Sequence, residues 1–420
     1  MIRSLLLASA LVAAPTALAQ PIAITGGKVV TNTSQGILES ATVVINNGRV
    51  VSVGTATPPA GAKIIDAKGK WVTPGMFAPF SRVGLAEIDS EDSVEDTSAP
   101  KSRFQASLHA ADAFDPDDTA IAVTRIEGIT RAAIVGSPSG SLFGGYGALI
   151  DMTGGFNSLQ SREAFMFARL GEAGAGTAGG SRAAAWMWLL TAIDDAKAYP
   201  KGFEDDGEGD LINRKEAIAL KPVVEGKVPL MIEVYRAGDI LQVISLQKRE
   251  PKIKLIILGA AEGWRVADEL AAAKIPVIVN PLTNLPDRFE ILASTLENAG
   301  RLSKAGVTVT IADPNEATHN TRFIQQLAGN AVANGMSWAD AFAGVTKNAA
   351  ALYGRTDLGV LAPNATADVV IWDGDPLELM SSPDAVFING VETPMKSRQT
   401  ELRDRYLKLD EPLPQAYERQ

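Results

Sequence analysis

The chain has 420 residues, of which 46% are hydrophobic and 21% charged, and its formal net charge is −10 at pH 7. This composition is typical of a soluble protein with one large domain and a smaller companion. The acidic balance argues against a nucleic-acid-binding protein, which would present a basic face. Because the chain has no cysteine, it has neither a cysteine nucleophile nor a thiolate metal site, and only two histidines are present.

The first residues have the features of a secretory signal peptide. Arg3 supplies the positive start, residues 5–14 form a short apolar run, and Ala17-Leu18-Ala19 offers a cleavage pattern of small residues. The apolar run is too short to span a bilayer. We expect cleavage after Ala19 and a periplasmic or secreted protein without membrane attachment, since no second apolar span and no cysteine for lipidation follow.

Both ends of the mature chain are rich in predicted β-strands. Alternating apolar residues predict strands over residues 22–30, 41–45, 50–53, 64–66 and 71–72 near one end, and over 367–372 and 386–388 near the other. Asn46-Asn47-Gly48 is typical of a hairpin turn. The pattern predicts a small β-sandwich domain built from residues 20–75 and 357–400, followed by a C-terminal tail at 401–420.

The middle of the chain alternates short apolar strands with amphipathic helices, which is typical of a parallel sheet. Predicted strands lie at 132–135, 230–234, 255–258, 277–279 and 307–311, and predicted helices at 183–199, 237–248, 262–273, 288–302, 320–334 and 338–346. A strand near Met76 and one or two weakly marked strands between 147 and 180 bring the number to eight. The sequence therefore predicts a (β/α)8 TIM barrel over residues 76–356.

Three segments interrupt this pattern. Residues 87–96 and 204–210 are strongly acidic, which favours solvated loops at the barrel rim. Calcium binding is the alternative for them, although neither has the spacing of a helix–loop–helix calcium site. Residues 171–180 are rich in glycine and alanine, which predicts a flexible loop.

Several motifs resemble the amidohydrolase superfamily, particularly its imidazolonepropionase-like, metal-dependent hydrolases. They are DAKGKWVTPGMF at 66–77, GSP at 136–138, GGYG at 144–147, LGVL at 358–361 and WDGDPL at 372–377. The first and last motifs are specific to the family, and the matches in the middle of the chain are less specific. Together they extend over most of the mature chain and imply a barrel with a composite β-domain.

The resemblance also implies where the family would hold zinc or another divalent metal. On the first, fifth and sixth strands, the histidine positions correspond here to Phe80 and Arg82, to Glu233 or Tyr235, and to Leu258. Only the eighth-strand aspartate is retained, as Asp313. Phenylalanine and leucine cannot ligate a metal, and an arginine brings a permanent positive charge. We therefore expect no metal cofactor and a member of the family depleted in metal ligands.

Three interpretations of function follow. The first is a pseudoenzyme that binds a small molecule, or a related hydrolase subunit in a homo- or hetero-oligomer. The second is an active hydrolase of non-peptide carbon–nitrogen bonds, such as amides and cyclic amides, that uses a rebuilt site at Glu233, Asp313 and His319. The third is a structural protein without a functional pocket.

We also assign expected roles to individual polar residues, most of them near the predicted barrel mouth. Arg82, Tyr235 and Arg236 are candidate ligand-binding residues. We also expect Arg82, with Arg236 as a second candidate, to replace the charge of the metal in a structural ion pair opposite Asp313 and Glu233, since a buried carboxylate is costly unless it is paired. His319 is either an acid–base group or a polar residue at a helix start. We expect the second histidine, His109, on a surface helix.

Overall fold

The computed structural model describes residues 20–88, 91–201, 211–315 and 318–407. The predicted signal peptide, the acidic segment 204–210 and the end of the predicted tail lie outside the described residues.

One eight-stranded sheet draws its strands from both ends of the chain. Its strands are β1 Ile22–Val30, β2 Ile37–Asn46, β3 Arg49–Gly54, β4 Lys63–Asp66, β5 Trp71–Pro74, β14 Val369–Trp372, β15 Pro383–Ile388 and β16 Val391–Glu392. Their order is β16-β15-β14-β5-β1-β2-β3, with β4 beside β1. The two chain ends meet where β14 pairs antiparallel with β5, and Val369 lies opposite Pro74.

The predicted hairpin turn is confirmed between β2 and β3. Asn47 and Gly48 have φ angles of 48° and 74°. Two successive residues in the left-handed region are typical of the type I′ turn, whose twist matches that of the flanking strands.

The second eight-stranded sheet curls into a nearly closed barrel. Its strands are β6 Met76–Ser81, β7 Ile129–Ile134, β8 Phe143–Asp151, β9 Leu159–Arg169, β10 Leu230–Val234, β11 Leu255–Gly259, β12 Val277–Val279 and β13 Val309–Ile311. They follow one another around the barrel in chain order. The (β/α)8 barrel with a small β-domain is thus confirmed.

The barrel departs from a regular parallel sheet at β8, which runs antiparallel to both β7 and β9. A parallel neighbour needs a crossover, usually a helix, whereas only the loops at 135–142 and 152–158 flank this strand. The strand carries glycines at 144, 145 and 147, which weaken a strand pattern. A Cβ atom at Gly147 would overlap the Phe165 ring, so this glycine permits close packing of β8 on β9.

Twelve helices are described, most of them around the barrel. They are α1 Ala110–Ala113, α2 Thr119–Arg125, α3 Gly171–Thr177, α4 Arg182–Ala198, α5 Arg214–Val224, α6 Ala237–Arg249, α7 Ala267–Ala273, α8 Asn298–Lys304, α9 Ile324–Ala333, α10 Trp338–Gly344, α11 Lys347–Ala351 and α12 Arg398–Leu407. None of the helices in the described ranges has both the length and the apolar character needed to cross a membrane.

Two expectations about these helices are wrong. The glycine-rich stretch at 171–180 forms α3 over most of its length rather than a flexible loop. The single helix predicted at 288–302 is replaced by a short 3₁₀ helix, Phe289–Ile291, and by α8. Between them, the amide of Ala293 donates to Glu262 and its carbonyl accepts from the Trp264 indole, at 3.1 and 2.8 Å. These tertiary bonds take the backbone groups that a continuous helix would use.

A buried ion pair joins the barrel to the sheet domain. Arg131, in β7, donates from Nε to Oδ2 of Asp368 at 2.7 Å and from Nη2 to Oδ1 at 3.1 Å. The same Nη2 donates to Asn389 at 2.6 Å, and both charged side chains are almost fully buried. This bidentate contact fixes the barrel against the strands contributed by the C-terminal part of the chain.

Candidate functional site

The positions of the missing metal ligands lie inside an apolar cluster. Phe80 is 2% exposed and Leu258 is fully buried. The Phe80 ring packs edge-on against Phe167, with ring centroids 5.5 Å apart. The strand residues of this cluster, which fills the barrel interior, are Phe77, Phe80, Ala133, Leu149, Phe165, Phe167, Met231, Ile256, Leu258 and Ile278. Hydrophobic side chains therefore occupy the part of the barrel where the resemblance implies a metal.

The described residues do not fit the family's metal centre. Phe80 and Leu258 carry no donor atom, and the histidines are located elsewhere. Within the described ranges, no group of three or more His, Asp or Glu side chains could hold a metal ion. A zinc site needs such a set of nitrogen or oxygen donors around one point. No reaction step through a metal can be derived from this donor set.

Glu233 is the centre of a polar cluster at the carboxyl ends of the strands, where barrel enzymes have their active sites. It lies near the end of β10 and is 7% exposed. Arg169, the last residue of β9, donates from Nε to Oε2 of Glu233 at 2.6 Å. The hydroxyl of Tyr235 donates to Oε1 at 2.9 Å. Burial and the neighbouring Glu233 charge raise the pKa of Tyr235, which keeps its hydroxyl protonated as a donor.

A second group of charges extends this cluster along the rim. The guanidinium of Arg288 lies over the Tyr235 ring, 4.2 Å from its centroid. Glu290 is buried, which raises the pKa of its carboxyl group, and it accepts from the amide of Glu172 at 2.8 Å. Arg182 lies 3.5 Å from Glu290. Rim loops that follow different strands are thus joined by charge-assisted contacts.

The expected ion pair between Arg82 and Asp313 does not form. Among the residues that the structure describes, Arg82 makes no ion pair. Its guanidinium lies 5.9 Å from the centroid of the Phe80 ring. The carboxylate of Glu233 takes Arg169 as its partner instead. The hypothesis did not include Arg169, which the fold brings from the neighbouring strand to Glu233, the other carboxylate that Arg82 was expected to face.

Arg236, the other arginine expected at the site, pairs with Asp239 rather than with Glu233. It precedes α6 and contacts Asp239 at 3.2 Å, with nearly half of its side chain exposed. It lines an open surface pocket of about 660 Å³ together with Leu241, Glu262, Arg265 and Phe289. Of the three predicted ligand-binding residues, Arg82 and Tyr235 therefore lie near Glu233, and Arg236 lies on the outer rim.

Among the residues that the structure describes, no hydrogen bond joins Glu233 to Asp313 or to His319, the other two residues of the hypothetical rebuilt hydrolase site. The side-chain partners of Glu233 are Arg169 and Tyr235. Asp313 follows β13 and accepts from the amide of Asn315 at 3.0 Å. His319 is exposed at the start of a 3₁₀ helix, which agrees with the interpretation of a polar residue at a helix start.

His109 has a more structured environment than a surface helix would give. It lies directly before α1, half-buried, and stacks on Tyr146 with ring centroids 4.8 Å apart. Its Nδ1 is 3.8 Å from the carboxylate of Glu163. The residue lines a pocket of about 370 Å³ with Asp96 and Ser137. The stacking on Tyr146 and the nearby carboxylate of Glu163 account for its position.

Arg169, Arg288 and Glu290 are the site residues that sequence reasoning missed. Only Arg169 had a usable signal, because it closes a strand and the ends of barrel strands carry functional side chains. That strand was weakly marked in the sequence. Arg288 and Glu290 lie in a segment that the sequence assigned to a helix.

Known proteins share the architecture described above. A model of the amidohydrolase family matches residues 250–397. The crystal structure of an amidohydrolase from Thermotoga maritima MSB8 superposes with a TM-score of 0.80 at 26% sequence identity, covering 89% of this chain and 100% of that one. No curated protein matched the chain in the corresponding sequence comparison.

More distant structures share the fold at lower similarity. A prolidase complexed with N-methylphosphonate-L-proline has a TM-score of 0.58 at 17% identity, with 90% of this chain and 100% of that one covered. Molinate hydrolase has a TM-score of 0.55 at 16% identity, with 96% and 98% covered.

The fold and the matched segment together define the class: a (β/α)8 hydrolase-type barrel with a composite β-domain. The chain is similar to the amidohydrolase family over residues 250–397, and to an amidohydrolase of known structure over 89% of its length.

Proposed function

We propose that this chain is an exported, catalytically degenerate amidohydrolase. Its barrel binds a small molecule, or a related hydrolase subunit, without hydrolysing it. The observation that carries the proposal is the packing of Phe80 and Leu258 in the apolar barrel interior. Members of this class activate water with a metal ion, and two side chains without donor atoms stand where ligands are needed. The signal-like sequence of residues 1–19 supports the export.

The remaining polar groups also favour binding over hydrolysis. A general base needs a free lone pair directed at water or substrate. Each carboxylate oxygen of Glu233 already accepts one charge-stabilising hydrogen bond, from Arg169 or from Tyr235, and these bonds make it a weaker acceptor toward water or substrate. The Tyr235 hydroxyl is committed to the same carboxylate. The cluster is therefore suited to hold its own side chains, or a ligand, in fixed positions.

We expect the purified mature protein to contain only traces of metal. The test is elemental analysis after mild dialysis, once as purified and once after incubation with zinc, manganese or magnesium. The physical reason is that the residues the structure describes offer no donor set able to retain a divalent ion through dialysis. Retention of one equivalent of any of these metals would contradict the proposal, and amide and cyclic-amide hydrolysis would then be assayed.

A further inference from the structure

The guanidinium group of half-buried Arg82 has no hydrogen-bond partner among the residues that the structure describes. Its Nε is sealed from solvent and makes no hydrogen bond. No ion pair reaches the guanidinium from the residues that the structure describes. Buried polar groups in proteins are nearly always hydrogen-bonded, and buried charges are nearly always paired. An arginine in this state needs an explanation.

The surroundings of Arg82 leave its charge only partly compensated. Burial lowers the pKa of Arg82, and the nearby positive charge of Arg169 lowers it further. Glu233 opposes this effect, but its two oxygens accept hydrogen bonds from other residues. Glu95, the other nearby carboxylate, accepts from Thr97 at 2.7 Å. Two guanidinium groups thus lie near one another, and neither carboxylate bonds to Arg82.

The free edge of the guanidinium remains accessible. Arg82 is half-buried as a whole, and only its Nε is among the sealed atoms that lack a partner. Its two Nη groups therefore keep contact with solvent. The Arg169 side chain is 24% exposed. The paired N–H groups of a guanidinium match the two oxygens of a carboxylate or phosphate in a bidentate contact.

We propose that Arg82, supported by Arg169, binds the oxyanion of a ligand, a carboxylate or a phosphate, at the barrel mouth. The inference rests on the proposed ligand-binding function and names its chemical class. The anion supplies the hydrogen-bond acceptors and the negative charge that the protein does not direct at Arg82. The arginine thus stands at a position where the resemblance implies a metal ligand, and it attracts an anion in place of a cation.

The test compares two small probes that differ in charge and not in size. Binding of N-acetylglycine and of its neutral amide, N-acetylglycinamide, is measured by calorimetry on the mature protein, with inorganic phosphate as a further arm. We expect the wild type to bind N-acetylglycine and not the amide. Binding of phosphate instead, with the same dependence on Arg82, supports the oxyanion site and identifies phosphate as the ligand group.

The decisive variant is Arg82→Met, which removes the guanidinium group and keeps a side chain of similar length. It should weaken binding of the anion about ten- to a hundredfold, as expected for a hydrogen-bonded charged pair. Arg82→Lys keeps the charge and loses the bidentate geometry, so its loss should be intermediate. Glu233→Gln removes a competing carboxylate and should strengthen binding. Arg301→Met is the control, since Arg301 is exposed and paired with Glu297 at 2.8 Å.

Melting temperatures without added anion separate loss of binding from loss of folding. We expect Arg82→Met to melt no lower than the wild type, because it removes a charge that lacks hydrogen bonds. Unchanged affinity in Arg82→Met, or equal binding of the neutral amide, would overturn the oxyanion site. Failure of every anionic probe to bind the wild type would overturn it as well. Failure of the non-hydrolytic function would show separately, as bound metal in the elemental analysis.

Discussion

Replacing Arg131 with methionine is expected to lower the free energy of unfolding by roughly 3–5 kcal/mol. The substitution leaves the carboxylate of Asp368 buried at the junction of barrel and sheet without its bidentate partner. Leaving one buried charge unpaired costs far more free energy of folding than the intact ion pair contributes. Asn389 loses its contact with the same guanidinium. Urea denaturation followed by tryptophan fluorescence measures the change.

The matched control is Arg49→Met, which removes an ion pair with Asp357 at 3.3 Å. Arg49 is about half exposed, so its loss should cost only about 0–1 kcal/mol. Removing both partners, in Arg131→Met with Asp368→Leu, should restore only part of the lost stability, because the buried Asp151, 3.7 Å from Arg131, also loses its counter-charge. If Arg131→Met and Arg49→Met cost the same, burial would not determine the strength of these pairs.

Local sequence patterns predicted most of the strands. They failed for a strand whose residues are determined by its packing against a neighbouring strand. The β2–β3 hairpin followed from Asn46-Asn47-Gly48, and the barrel strand Leu230–Val234 from its run of apolar residues. The sequence did not clearly predict the antiparallel strand β8, because its glycines weaken the strand pattern. A glycine suits this strand at residue 147 because the neighbouring strand places the Phe165 ring against it. This contact depends on the tertiary structure and leaves no local pattern in the sequence.

At the candidate site, too, the sequence predicted the positions of residues but not their contacts. The resemblance located Phe80, Leu258 and Glu233 by their place in the motif order, and all three lie inside the barrel or at its mouth. It could not identify the partners of the charged groups. Arg169 reaches Glu233 from the adjacent strand, and Arg288 reaches Tyr235 from a loop. Such pairings depend on three-dimensional proximity between segments that are far apart in the sequence.

The position of Arg82 connects the failed prediction with the proposed anion site. The sequence argument assumed that a charge placed where a metal ligand should stand must be neutralised by the retained Asp313. Arg169 pairs with Glu233, and in the part of the chain that the structure describes the guanidinium of Arg82 has no partner. An arginine that the fold does not neutralise is better explained by a ligand than by internal stability.

Replacing Phe80 with alanine is expected to lower the free energy of unfolding by about 3–5 kcal/mol. Phe80 is 2% exposed and its ring packs edge-on against Phe167. The barrel interior is closed by neighbouring strands and can collapse only partly around the cavity. At a metal-binding position, the same change would chiefly abolish activity. A large loss of stability would therefore indicate that this position now serves packing, and urea denaturation measures it.

Two further variants show whether this packing is what replaced the metal site. Phe289→Ala removes the same side chain from the rim, where it is 82% exposed, so its effect should stay within about 0.5 kcal/mol. Phe80→His restores one expected ligand, but buries a polar ring among apolar neighbours, and should destabilise the protein without conferring metal uptake. A Phe80→His variant that retains one equivalent of zinc after dialysis would reveal a latent metal site. In that case the remaining donor geometry would be preserved, and the missing donor atom at residue 80, rather than the apolar packing, would account for the loss of the metal.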